Sequence, residues 1–220
     1  MIISPGRRYV FVHIPKTGGT ALTLALEARA MKDDILIGDT PKARARRGRV
    51  RRLKAAGRLW KHATLRDIDG LVDGPMLDGL FVVTLVRNPW DRMVSYYHWL
   101  RGQTFAHPAV GLARTLPFDG FLAHPQTRAA MAAWPASAYV TDARGRERCD
   151  LFARFEAMDT DLPAFEAHLG FRLRPLPRTN ESQRPRDWRS AYSDVGAALV
   201  AEHCAADIAR FGYRFDPPGL

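Results

Sequence analysis

The sequence is poor in cysteine: 220 residues carry two, Cys149 and Cys204. Two thiols so spaced make neither a disulfide scaffold nor a zinc site. Cys204 falls on an apolar stripe with Ala197, Val200, Ile208 and Phe211 at helical spacing, so a packed thiol is expected there. Long apolar runs are missing too. Tyr9–Ile14 is too short for a signal-peptide core. Ala129–Thr141, the longest charge-free stretch, falls short of the ~20 residues of a membrane span and contains Pro135. The expectation is a soluble, cytoplasmic chain with no membrane span. There is no internal repeat. There is also no GxxxxGK[ST] loop and no apolar strand ending in Asp to hold Mg²⁺, which argues against an ATPase or a nucleotide kinase.

One segment lacks acid altogether. Between Lys42 and Lys61 stand ten Lys and Arg residues and no Asp or Glu, while the rest of the chain balances 23 bases against 23 acids. The net charge of +10 therefore belongs to one stretch of an otherwise neutral protein. A basic run of this kind serves an anionic partner or is simply a solvated face. Ten cations on a helix would bind nucleic acid in a salt-dependent way. Against that reading, no recognised nucleic-acid module accompanies the run, and Trp60 is its only aromatic. No nucleic-acid partner is expected.

Strand and helix patterns alternate, which predicts an α/β fold with three α/β/α layers around a mostly parallel sheet. The 220 residues are read as one domain, with a basic insertion at about 42–61 and an acceptor or lid region at about 102–148. Strands are predicted at Arg8–His13, Ile35–Gly38, Leu80–Val86 and Cys149–Phe155. Helices are predicted at 21–31, over the basic run, at Thr64–Leu71, Pro89–Arg101, Leu162–Leu169 and Asp194–Phe211, the last capped by Ser193 or Asp194. LFVVTLV at 80–86 has the unbroken apolar character of a parallel strand covered on both faces.

Two segments carry chemistry. In YVFVHIPKTGGTALTLAL a strand ends, two glycines turn the chain and a helix begins. Backbone N–H groups at a helix start form an anion site, Lys16 adds a mobile positive charge, and Thr17 and Thr20 add hydroxyls. The plain alternative is an ordinary Gly-Gly turn with a surface lysine. In LFVVTLVRNPWDRMVSYYHWLR, Arg87 closes a buried strand and Ser95 lies two turns into the next helix. Ligands of α/β sheets bind at the strands' C-terminal edge, and a guanidinium with a hydroxyl suits a second phosphate. The alternative is that Arg87 pairs with Asp91 or another acid.

HIPKTGGT followed by LVRNPWDRMVSYY resembles the sulfotransferases that use 3′-phosphoadenosine-5′-phosphosulfate (PAPS). It is most similar to the carbohydrate-type branch that includes heparan sulfate sulfotransferases and small bacterial relatives. DLFARFE at 150–156 and ADIARFGYRF near the C-terminus are similar to later parts of that family, whereas 102–148 is not. The resemblance implies a P-loop-like sulfotransferase fold and PAPS as co-substrate, with no metal required. It places the 5′-phosphosulfate loop at Pro15, Lys16, Thr17, Gly18, Gly19 and Thr20. It places the 3′-phosphate contacts at Arg87 and Ser95, and a late nucleotide-covering loop at Pro177–Trp188, where Arg184 is the candidate. It implies transfer to an acceptor hydroxyl, on a glycan, lipid, small metabolite or tyrosine. A family member that binds 3′-phosphoadenosine 5′-phosphate (PAP) without turnover is the remaining alternative.

Such a transfer needs a cation at the leaving phosphate, for which Lys16 is the candidate, and a base for the acceptor proton. Of seven histidines, His62 in WKHATLRDI is the choice. The resemblance places a catalytic histidine in a similar H-x-T/S segment, and flanking cations would keep it neutral. Asp67, one turn on, is a candidate to orient His62 or to act as base. His13 and His98 are expected to be structural. Because the basic run leads into His62, it is expected to border the acceptor side and to favour an anionic glycan.

Overall fold

The structure is a computed structural model and describes residues 1–177 and 187–216. In chain order the elements are β1 (Ile2–Ser4), β2 (Tyr9–Val12), α1 (Gly19–Ala28), β3 (Ile35–Leu36), α2 (Pro41–Ala45), α3 (Arg47–Val50), α4 (Gly74–Asp78), β4 (Phe81–Val86), α5 (Pro89–Arg101), α6 (Pro108–Thr115), α7 (Phe118–Ala123), α8 (Pro125–Ala133), α9 (Ala136–Tyr139), β5 (Leu151–Arg154), α10 (Met158–Asp161), α11 (Pro163–Leu169), α12 (Asp194–His203) and α13 (Ala205–Phe211). The described residues group into two compact units, 1–86 with 136–177 and 87–135 with 187–216.

The first unit holds the sheet, in the order β3-β1-β2-β4-β5. β2, β4 and β5 run parallel, while β1 pairs antiparallel with both β2 and β3. The α/β class expected from the sequence is what forms, with a sheet that is parallel in one half and antiparallel in the other. Side chains alternate across it. Tyr9, Phe11, Val83, Leu85 and Ala153 join Leu22 and Leu26 of α1 and Phe165 and Leu169 of α11 in one buried cluster. On the opposite face Val10, Val12, Val82 and Val86 are buried as well. Each such aliphatic side chain contributes roughly 1.5–3 kcal/mol by leaving water, which explains why β4 reads as a continuous apolar run. Its one polar residue, Thr84, donates its hydroxyl to the Val12 carbonyl at 2.8 Å.

The basic run departs from the predicted helix. It forms only the short α2 and α3, and from Arg51 to Lys61 it is turns and irregular chain. With no acid in the segment, bases four apart, such as Lys42 and Arg46 or Arg47 and Arg51, repel one another on a helix. Gly48 and Gly57 weaken it further. Several cations hold carbonyls around the C-terminal end of α1 instead. Lys42 Nζ donates to Glu27 O at 2.5 Å, and Arg46 donates to Met31 O at 2.8 Å and Asp34 O at 3.1 Å. Arg49 donates to the carbonyl of Lys32. The terminal carbonyls of a helix lack partners within it, so cations are favoured there.

Residues 64–71 are turns, not a helix. Thr64 and Asp67 do bond reciprocally, as at a helix start, but Gly70 at φ 81° takes the chain out of helical geometry. β1 was not predicted: three residues before Pro5-Gly6 give too short a pattern.

The second unit is helical. Trp90, Tyr97 and Leu100 of α5 pack with Val110 of α6, Phe121 and Leu122 of α7, Met131 of α8 and Val200 of α12. Asn88 caps α5 by accepting from Trp90 N at 3.1 Å, with Pro89 in the first turn. The helix expected over 194–211 is broken at Cys204 into α12 and α13, and Ser193 caps α12 by accepting from Gly196 N at 3.1 Å. The break keeps Val200, Cys204 and Ile208 on one apolar cluster, and burial pushes the Cys204 thiol up to about 11, as befits a packed thiol.

α2 is joined to α1 through Thr40. Its hydroxyl donates to the Glu27 carboxylate at 2.7–2.8 Å and accepts from Ala43 N at 3.1 Å. Thr40→Val keeps the shape and removes both bonds. A loss of about 1–3 kcal/mol is expected in urea unfolding, and an unchanged midpoint would show that neither bond matters.

Candidate functional site

The Pro15–Thr20 loop leaves β2 and enters α1. Lys16 has φ 66°, a left-handed conformation unusual for lysine, and Gly18 has φ 82°. Holding lysine there costs about 1–2 kcal/mol, so the loop is wound tightly by its surroundings and not by local preference. Thr17 is buried and donates its hydroxyl to the Ile14 carbonyl at 2.9 Å, so that hydroxyl braces the loop from inside. Thr20 is half-buried in the first turn of α1. No side chain caps this ten-residue helix and no acid stands in its first turn. The amides of the first turn and the positive end of the helix dipole therefore lie beside Lys16, with no acidic residue in the first turn of the helix itself.

Both glycines are required by their neighbours. A Cβ on Gly18 would come 2.4 Å from the ring of Phe155, the residue just after β5. A Cβ on Gly19 would come 2.4 Å from the ring of His13.

His62 meets the chain at His13, just before the loop. Its Nδ1 lies 2.7 Å from the backbone oxygen of His13. A carbonyl only accepts, so Nδ1 carries the proton and Nε2 is the basic nitrogen of the neutral ring. The ring packs edge-on against His13 at 4.8 Å and against Trp60 at 5.1 Å. Burial, chiefly, pushes the imidazole down to about 4. The His13 carbonyl opposes the shift, and Lys61 and the amino terminus add repulsion. The flanking cations expected to keep His62 neutral thus contribute, but burial leads. His13 is held well below its usual value by burial first, then by the amino terminus, His62, Lys61 and Lys16.

The other candidates for a base have other roles. Asp67 accepts from the backbone and hydroxyl of Thr64 at 2.7 and 2.9 Å, so it closes a turn, and it is the His13 carbonyl that orients His62. His107 and His124 cap helices. His168 bonds the carbonyls of Arg7 and Arg8, His203 accepts from Arg128, and His98 packs on Tyr97.

In the helical unit, Arg87 and Ser95 are both buried. Arg87 pairs with Asp91 through Nε at 2.7 Å and a terminal nitrogen at 2.6 Å. The pairing weighed against phosphate binding therefore forms, and it fixes the plane of a guanidinium with five donors. Arg184 lies outside the described residues. Sequence reasoning missed Phe155 and the His13 carbonyl, neither of which carries a local signal, whereas the Arg87–Asp91 pair is the alternative that the sequence itself offers.

No protein-family profile matches the sequence, and no curated protein matches it. Among solved structures, the crystal structure of mouse sulfotransferase SULT7A1 complexed with PAP is similar at a TM-score of 0.37 and 16% identity, over 94% of this chain and 67% of that one. Similarity of that degree transfers no function. Among the described residues no helix is long and apolar enough to cross a membrane.

Two outcomes follow from the geometry. Gly18→Ala is expected to cost about 2–4 kcal/mol, part from the left-handed backbone and part from Phe155. Adding Phe155→Ala should remove the clash but not the backbone part, so a double-mutant cycle by thermal unfolding with no coupling would refute the contact. For His62, the folded value of about 4 lies below the 6.5 of an ordinary imidazole, so the unfolded chain binds the proton more readily between them. Its contribution to stability is therefore complete above pH 6.5 and is lost as pH falls toward 4. His62→Gln should reduce the difference in stability between pH 7 and 4.5 by about 2 kcal/mol; an unchanged difference would contradict the burial.

Proposed function

We propose that this chain is a sulfotransferase that moves the sulfuryl group of PAPS to a hydroxyl of an anionic glycan. The observation that carries the proposal is the start of α1, which no N-cap side chain covers, behind the left-handed Lys16 and Gly18, in the same unit as a part-buried neutral histidine of fixed tautomer. The choice of PAPS comes from the HIPKTGGT and LVRNPWDRMVSYY resemblance, and the donor set fits it. A phosphosulfate is a delocalised anion of several oxygens, and first-turn amides with a lysine ammonium match that chemistry. PAPS supplies the activated sulfuryl group.

Lys16 opposes the charge that develops on the departing phosphate. A unit charge about 4 Å away is worth up to about 4 kcal/mol at an effective dielectric of 20. The amides of Gly19 and Thr20 hold sulfonate and phosphate oxygens in place. Nε2 of His62 takes the acceptor's hydroxyl proton as the acceptor oxygen bonds to sulfur. At a value of about 4, His62 is always ready to accept but is a weak base. A bound polyanion nearby raises that value and brings it closer to working pH. Arg87, held planar by Asp91, and the Ser95 hydroxyl are assigned the 3′-phosphate. The compartment proposed is the cytoplasm.

Thermal unfolding with added nucleotide tests the reading first. Millimolar PAP should raise the midpoint and ATP should not, and no shift with PAP would overturn the proposal. Transfer of labelled sulfate from PAPS into cell extract should vanish in Lys16→Ala and Arg87→Ala. His62→Ala should lower turnover by about 10²–10⁴ while PAP still stabilises the protein, and full turnover there would remove His62 as the base.

A further inference from the structure

The sheet unit contains a cleft of about 490 Å³ whose lining ends at Lys61, the residue before His62. One wall is β3 and its exit, with Leu36, Ile37 and Asp39. The other is the basic segment, with Arg47, Arg51 and Arg58 and, at its end, Trp60 and Lys61. The floor is apolar: Leu36 and Ile37 are nearly fully buried. Trp60 is 42% exposed although it is a large apolar ring, and Arg58 lies over it at 5.5 Å. Lys61 bridges the two walls by its 2.7 Å pair with Asp39, the one carboxylate among the lining residues. The amino group of Met1 fastens both walls from behind, donating to Ile37 O at 2.9 Å and Lys61 O at 3.0 Å.

The cations of the run divide by what they touch. Lys42, Arg46 and Arg49 are committed to carbonyls near the end of α1. Arg47, Arg51 and Arg58 line the cleft instead, with Trp60 beside them. Guanidinium groups grip carboxylate and sulfate in a fixed fork, and an exposed indole offers a flat apolar surface to a sugar ring. A cleft of this volume suits a ligand of two or three rings. Trp60, in the cleft lining, packs on the His62 ring at 5.1 Å.

We infer that this cleft is the acceptor subsite: Arg47, Arg51 and Arg58 bind the carboxylates or sulfates of an acidic oligosaccharide, and Trp60 stacks on a sugar ring next to His62. The inference rests on the sulfotransferase reading for the word acceptor, but binding in the cleft can be measured without it. Trp60 thereby fixes which sugar stands near the base, and the arginines select for acidic chains.

The test is calorimetric titration of the full chain with a sulfated, uronate-containing tetrasaccharide, with a neutral tetrasaccharide as control. Wild type should bind the first, more weakly as salt rises, and not the second. Arg47→Ser/Arg51→Ser/Arg58→Ser should weaken binding tenfold or more. Arg44→Ser/Arg52→Ser/Lys54→Ser, which removes as many charges from the same segment but outside the lining, should weaken it less than threefold. Trp60→Ala should cost fivefold or more, and Trp60→Phe should restore most of it. Equal losses in the two triple variants would mean a diffuse basic surface and would overturn the inference. So would no binding by wild type, or tighter binding of a short RNA duplex that the first triple abolishes. Stabilisation by PAP should be unchanged in all these variants. If PAP fails to stabilise wild type while the tetrasaccharide still binds through the cleft, the sulfotransferase reading falls and the anionic-sugar site stands.

Discussion

A single hydrogen bond holds the proposed chemistry together: the imidazole N–H of His62 to the backbone carbonyl of His13. His13 is the residue at which the chain leaves β2 for the anion loop, and His62 closes the basic segment. Without that bond the ring has no fixed tautomer, Trp60 has no ring to pack against, and the cleft loses its link to the loop. The bond is part-buried, so water competes less for its partners than it would at the surface. The same burial keeps the imidazole neutral, and a neutral ring is the form in which one nitrogen donates while the other accepts.

The loop and the helix it feeds are a second constraint, one of space. Gly18 lies under the Phe155 ring and Gly19 under the His13 ring, so neither position has room for a methyl group. Parallel pairing aligns the ends of β4 and β5, with Val86 beside Arg154, and ends β2 two residues earlier, with Val12 beside Thr84. The sheet register thus decides which residue covers the glycines. The cost of a left-handed lysine is offset by packing assembled from segments more than a hundred residues apart in sequence.

The parts of this arrangement that could be read in the sequence are those with a local physical signature. A continuous apolar run marks a strand buried on both faces, two glycines after a strand mark a tight entry into a helix, and Asn-Pro marks the start of α5. The failures share a cause as well. The basic run looked helical because Ala and Arg are good helix formers, but repulsion along its face and the carbonyls at the end of α1 drew its side chains elsewhere. Residues 64–71 held a helix-start pair whose continuation was stopped by one left-handed glycine. A sequence displays side chains, so the partner it suggests for His62 is a carboxylate, Asp67. The true partner is a backbone oxygen, which every residue has and none advertises. The +10 was legible as a total, yet its division between carbonyl anchors and cleft lining depends on the course of the chain after β3.

Helix α1 joins these themes. At about 1.5 Å per residue its ten residues make a strut roughly 15 Å long. One end presents amides to the proposed anion, and the other is gripped by Lys42 at Glu27 O, with Arg46 holding the carbonyls of the turn beyond. Positive charge at the carbonyl end complements the dipole, and it discourages the last turn from fraying. The basic segment therefore steadies one end of the rod while the loop it does not touch lies at the other. Order at the anion loop becomes a property that a change at Lys42, a full helix length away, can alter.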